Sequence, residues 1–196
     1  MVIEKTLQQI RGLHRDGHQV SIAVNISARI LRDDGFPGEV ERLLAEAGVE
    51  SRWLHLELTE SMVMEDPERA VEILGRLSAM GISLSIDDFG TGYSSMAHLK
   101  RLPVDEIKID KSFVLDMAVD ASDAVIARSI IDLGHNLGLS VVAEGVETPE
   151  VLAQLETMGC DQVQGYLFSR PLPAEDVSRW LSSWQRRRLL SHPELR

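Results

Sequence analysis

Short apolar runs recur along the chain, and nearly all follow a helix-like pattern that ends in glycine. Residues 20–24, 54–58, 82–86, 140–143 and 162–167 come after Gly17, Gly48, Gly81, Gly138 and Gly159 in turn. Glycine in that place suits the left-handed residue that closes a helix. A sixth run, 106–109, follows Leu102-Pro103, where the proline supplies the stop. Each run is predicted as a strand. Between them apolar residues recur at three and four: Val40, Leu43, Leu44 and Ala47; Ala70, Ile73, Leu74 and Leu77; Ile126, Ile130, Leu133 and Leu137. Those spacings predict helices with one buried face, and a further helix over 3–13 precedes the first strand. Asp66-Pro67-Glu68 and Thr148-Pro149-Glu150 read as helix starts. Each offers a capping side chain, a proline in the first turn and an acid near the positive end.

Six strands alternating with helices, each strand short and apolar almost throughout, predict an α/β fold around a parallel sheet. The sheet is either open and doubly wound or rolled into a barrel. Polar groups end every strand, whereas a doubly wound sheet gathers its ligand at one switch point. No glycine-rich phosphate fingerprint follows a strand; Gly90-Thr91-Gly92 comes after an acid pair and lacks the third glycine. Both points favour a TIM-type (β/α) barrel. Such a barrel needs eight strands, so the expectation is an incomplete one with about six of the eight. Residues 1–185 form one barrel domain and 186–196 a basic C-terminal tail.

Bulk properties narrow the function. The 196 residues suit a single domain. A net charge of −11 argues against broad attraction to DNA, RNA or an anionic membrane, although metal ions that reverse the local sign would admit an anionic ligand. No apolar run is long enough to cross a bilayer, and the start is no signal peptide. The single Cys160 cannot form an internal disulfide, which fits a reducing cytoplasm, and it reads as a small buried hydrophobe.

The chemistry concentrates at strand ends. Asp87 and Asp88 lead into Phe89-Gly90-Thr91-Gly92-Tyr93, and two adjacent like charges repel unless a cation or shared proton neutralises them. The other ends carry Asn25; Glu57 with Glu60; Lys108 with Asp110; Glu144 with Glu147; and Gln164. Alternate strand residues share a face, so Glu57 points away from Leu56 and Leu58, into the barrel if those two face the helices. Hard oxygen donors without cysteine or histidine suit magnesium, manganese or calcium rather than structural zinc. Any one acid, taken singly, reads as a solvated strand end or helix cap; the set together reads as a divalent-metal site. Lys108 either balances that charge or holds a water or a phosphate oxygen. Glu60 and Glu147, a turn further out, read as loop anchors. The histidines do not gather: His14, His18, His98, His135 and His192 fall in helices or loops, and His55 sits at the start of its strand. Near the C-terminus, Trp180, Leu181 and Trp184 have the spacing of a helix docking on the barrel, and Arg186-Arg187-Arg188 reads as its solvated end.

These residues resemble the EAL-domain family of cyclic di-GMP phosphodiesterases over nearly the whole chain. The resemblance rests on Val24-Asn25-Ile26-Ser27-Ala28-Arg29, Glu57-Leu58-Thr59-Glu60, Asp87-Asp88-Phe89-Gly90-Thr91-Gly92-Tyr93-Ser94-Ser95, Lys108-Ile109-Asp110, Glu144-Gly145-Val146-Glu147 and Gln164-Gly165-Tyr166-Leu167-Phe168, in that order. It implies a modified barrel using two Mg²⁺ or Mn²⁺ ions to hydrolyse cyclic di-GMP to linear pGpG. Carried over by motif, Asn25, Glu57 and Asp87 hold one ion, and Asp87 bridges to a second held by Asp88 and Glu144. The same resemblance makes Lys108 and Gln164 position water or phosphate oxygens, while Glu60 anchors the Asp-Phe-Gly loop; Glu147 is counted with the site for its place a turn beyond Glu144.

The Glu-Ala-Leu motif that names the family, with a metal-ligating glutamate, is absent, as are the first two strands. The expectation is therefore an N-terminally truncated member. The alternative function is a catalytically impaired cyclic di-GMP receptor or protein-interaction module. An enolase-like lyase would share acids and a lysine at strand ends but lacks the Asp-Asp-Phe-Gly loop. Unpaired edges at the first and last strands predict a homo-oligomer.

Overall fold

A computed structural model of the chain describes residues 2–92 and 96–191. Tyr93-Ser94-Ser95 of the longest motif, His192, and the side chains of the basic tail from residue 186 lie outside what is described. Six parallel strands pair strictly in chain order: β1 (Ile22–Asn25), β2 (Leu54–Thr59), β3 (Ser83–Phe89), β4 (Glu106–Ile109), β5 (Ser140–Ala143) and β6 (Gln162–Val163). Sequential order with parallel pairing is the incomplete (β/α) barrel, and among the described residues β1 and β6 each pair on one side only.

Helices cover the outer face. These are α1 (Val2–Arg15), α2 (Phe36–Ala47), α3 (Glu60–Glu65), α4 (Pro67–Ala79), α5 (Met96–Leu99), α6 (Ala121–Asn136), α7 (Pro149–Met158) and α8 (Ala174–Ser191). The core lies between the two layers, with Leu54, Leu56, Leu58, Leu84, Ile86, Ile107 and Ile109 packed beneath Ile10, Val40, Ile73 and Ile131. The expected helix starts hold: Asp66 accepts the Arg69 N–H at 3.1 Å and Thr148 Oγ1 the Val151 N–H at 3.3 Å. α2 and α7 end at Gly48 and Gly159, which adopt φ of 64° and 78°, the left-handed closure that a side chain disfavours.

Three expectations need correction. The last strand stops at Val163 instead of 167, because Gly165 packs directly on the backbone of Val146 and the Phe168 N–H turns back to the Gly165 carbonyl at 3.1 Å. The first strand starts at Ile22 rather than 20, since Val20 is held in a turn by the His18 carbonyl and by the His14 ring. In α6 the fully buried face is Ala127, Ile130, Ile131 and Gly134, which leaves Ile126 exposed. Small residues decide that register: a Cβ on Gly134 would overlap Val141, so the helix approaches the sheet closely on that side.

The aromatic end docks as expected. Trp184 stacks on Trp180 with centroids 5.5 Å apart and meets Phe168 edge-on at 5.9 Å. Ser182 Oγ lies 3.2 Å from His18 Nε2, so α8 reaches from the β6 side of the sheet to the end of α1. Its helical backbone runs through to Ser191, across the boundary expected at 185.

Candidate active site

Parallel strands bring their C-terminal ends to one rim, and inward-facing residues alternate with the core residues named above. Asn25 is in register with Glu57, and Thr59 with Asp87. From β4, Lys108 extends into the centre, 2.9 Å from Glu57 Oε1, 3.2 Å from Asp87 Oδ1 and 2.5 Å from Glu144 Oε1. Three strands and the loop after β5 thus meet at one ammonium whose side chain is only 4% exposed. Burial opposes the charge on Lys108, but hydrogen bonds to Glu144 and Glu57 outweigh it and hold the amine above the ordinary lysine range.

Adjacent strand residues ordinarily face opposite ways, yet both Asp87 and Asp88 belong to the rim. The register between β3 and β4 shifts between Ile86 and Phe89, so one extra residue is inserted on β3. Such a bulge re-aims the side chains around it. Asp88 takes φ of 54°, a left-handed conformation that aspartate tolerates better than most residues. Its carboxyl is raised by burial and by the charges of Asp87 and Asp110. Asp110 is itself partly buried, yet bonds from Ser112 hold it below the usual carboxylate range.

Glu60 opens α3 fully buried behind the rim. Its Oε2 accepts the Gly90 N–H at 3.1 Å, and a Cβ on Gly92 would lie 3.0 Å from its Oε1. The carboxylate therefore fastens the glycine loop that follows the acid pair. Gln164 is exposed and lines the inner cavity, its N–H donating to the Ala143 carbonyl at 2.8 Å. Asn25 and Glu147 are exposed. Of the expected set, Glu57, Asp87, Glu144 and Lys108 are in contact, Asp88 and Glu60 flank them, Asn25 and Gln164 lie at the margin, and Glu147 is exposed on the loop after β5. Among the described residues no three acidic, histidine or cysteine side chains form a metal cage by themselves. The point on which the carboxylates converge is taken by the Lys108 ammonium.

The inner face continues below the rim as a polar cavity of about 480 Å³ lined by Ser21, His55, Ser83, Glu106, Ser140 and Gln162, among others. Glu106 Oε2 accepts from Gln162 Nε2 at 2.9 Å, and its other oxygen lies 3.8 Å from His55 Nε2. Sequence reading at strand ends alone passes over this lower tier. The signal that reveals it is alternation: polar residues recur at inner-face positions of otherwise apolar strands, as with His55 and Glu57 on β2, Ser83 and Ser85 on β3, and Glu106 and Lys108 on β4.

The EAL domain family model matches residues 1–171. The chain belongs to the EAL domain family. It is 44% identical over 185 residues to the cyclic di-GMP phosphodiesterase NbdA of Pseudomonas aeruginosa, covering 94% of this chain and 24% of that protein. To the oxygen sensor protein DosP of Escherichia coli it is 43% identical over 166 residues, 85% of this chain and 21% of the relative. Among solved structures, the PaMucR phosphodiesterase in complex with c-di-GMP superposes with a TM-score of 0.86 at 45% identity, covering 90% of this chain and 72% of that one. The EAL domain of Mycobacterium smegmatis DcpA gives 0.87 at 36% identity, with 93% and 82% covered. This EAL domain spans about a quarter of the length of the curated relatives it matches. Among its described residues no helix is long and apolar enough to cross a membrane.

Proposed function

We propose that this EAL domain hydrolyses cyclic di-GMP to linear pGpG with two divalent ions, Mg²⁺ or Mn²⁺. The observation that carries the reading is the convergence of Glu57, Asp87 and Glu144 on one buried positive charge at the strand-end rim. Kinship with NbdA and likeness to the c-di-GMP complex of PaMucR supply the substrate class.

The donor set fits such ions. Carboxylates and an amide oxygen are hard ligands of the kind magnesium and manganese take, and these carboxylates already surround a cation. Asn25, Glu57 and Asp87 would hold one ion, and Asp87, Asp88 and Glu144 the second. When bound, the ions polarise the phosphodiester and lower the pKa of a water. Lys108 brings a positive charge to the same centre, which favours an anionic phosphate there. The Gln164 amide can orient a water or phosphate oxygen from the margin. Glu60 holds the loop carrying Gly90 and Gly92 so that Asp87 and Asp88 keep their aim, and Glu147 steadies the loop after β5. With Cys160 the lone thiol, a cytoplasmic setting suits the protein.

Substituting Glu57→Gln or Asp87→Asn removes a charged ligand while keeping shape. Each is expected to reduce pGpG formation in Mn²⁺ buffer by at least about 100-fold, on the scale of losing one electrostatic catalytic group. Wild-type protein that forms no pGpG in Mn²⁺ or Mg²⁺ would sink the enzyme assignment. The competing reading is a receptor that holds cyclic di-GMP or a protein partner without cleaving it. Calorimetry showing saturable nucleotide binding with no pGpG released would select the receptor.

A further inference from the structure

The Lys108 ammonium stands within 3.2 Å of a carboxylate oxygen from each of three segments: Glu57 on β2, Asp87 on β3 and Glu144 after β5. An ammonium held this closely among three carboxylates is drawn to them and away from any phosphate oxygen. The acids are equally dependent on it, since three like charges gathered in a buried place repel strongly without a cation among them. A divalent ion that takes these oxygens would bring a second positive centre beside the ammonium, and the two cations would repel and compete for the same carboxylates.

We propose that Lys108 is an exchangeable internal counter-ion. In the metal-free protein it occupies the centre and keeps the carboxylates assembled. Metal entry displaces it and frees its N–H groups for the anionic substrate. Lys108 thereby couples metal occupancy to phosphate binding, a role distinct from that of a fixed phosphate donor. The inference rests on the metal-dependent reading above.

The test uses the full chain stripped with EDTA, with Lys108→Met compared to wild type. Without metal, Lys108→Met is expected to melt at lower temperature, and adding Glu144→Gln to it is expected to recover part of the loss by removing an unpaired charge. Mn²⁺ titrated by calorimetry is expected to bind Lys108→Met about tenfold more tightly, because no competitor must be expelled. A variant that folds only with Mn²⁺ present also supports exchange. A second measurement needs only the wild type: acetylation of the Lys108 amine, read by mass spectrometry, is expected to be slow in EDTA and several-fold faster in Mn²⁺. Unchanged melting and unchanged Mn²⁺ affinity in Lys108→Met, or labelling indifferent to Mn²⁺ in a wild type that binds the ion, overturns the exchange while leaving the metal reading intact. Failure of Mn²⁺ to bind either protein overturns the metal reading and the exchange with it.

Discussion

Glu106 lies one inner-face position below Lys108, and burial pushes its carboxyl up to about 7 despite the nearby ammonium. The unfolded value is about 4.5, so between these two pH values the folded chain binds more protons than the unfolded one. Stability therefore falls as pH rises through that window, and the full penalty persists above about 7. Glu106→Gln keeps the shape of the contact with Gln162 and removes the titration. It is expected to stabilise the fold by about 1–3 kcal/mol at pH 8 and to make little difference near pH 4. Parallel melting-temperature curves for the two proteins across that range would show the assignment to be wrong. Burial also lowers His55, so the lower tier favours neutral forms of both partners, whereas the rim above it is built from charge.

At the scale of elements, two helix glycines should respond oppositely to one substitution. Gly134 in α6 faces the sheet, where a new Cβ would overlap Val141 and come within 3.0 Å of Ile107. Overpacking of about 1–3 kcal/mol exceeds the gain of up to about 1 kcal/mol in helix propensity. Gly134→Ala should therefore lower the melting temperature by a few degrees. Gly75 in α4 has open space at the same position, so Gly75→Ala should raise it slightly. Thermal melts that shift in the same direction would show that close approach does not set the position of α6. The spacing of Ile126, Ile130, Leu133 and Leu137 is compatible with a helix but picks a neighbouring face. Leu133 and Leu137 are only partly buried against the core, because the small side of the helix is the one that can approach β4 and β5.

Among the described residues the sheet has two open edges. β1 and β6 each present unpaired backbone groups on one side among the described residues, and such edges recruit further strands. The chain is expected to self-associate, and light scattering that returns a clean monomer at micromolar concentration would count against this. α8 touches both sides of the fold, Trp184 meeting Phe168 edge-on and Ser182 Oγ lying 3.2 Å from His18 Nε2.

Local chemistry already present in the chain determined the order of elements, the parallel pairing and the residues at the strand ends. Glycine and proline stops, capping side chains and apolar runs act within a few residues of themselves, so they can be read in one dimension. The acid pair, Glu57, Glu144 and Lys108 were legible for the same reason, each ending an apolar run. Only the tertiary structure decided that Lys108 stands among all three carboxylates, that a bulge lets Asp87 and Asp88 both serve the rim, and that His55, Glu106 and Gln162 line a second tier beneath it. Periodicity states which residues share a face, but what lies opposite that face depends on strand pairing and helix packing between segments distant in the chain.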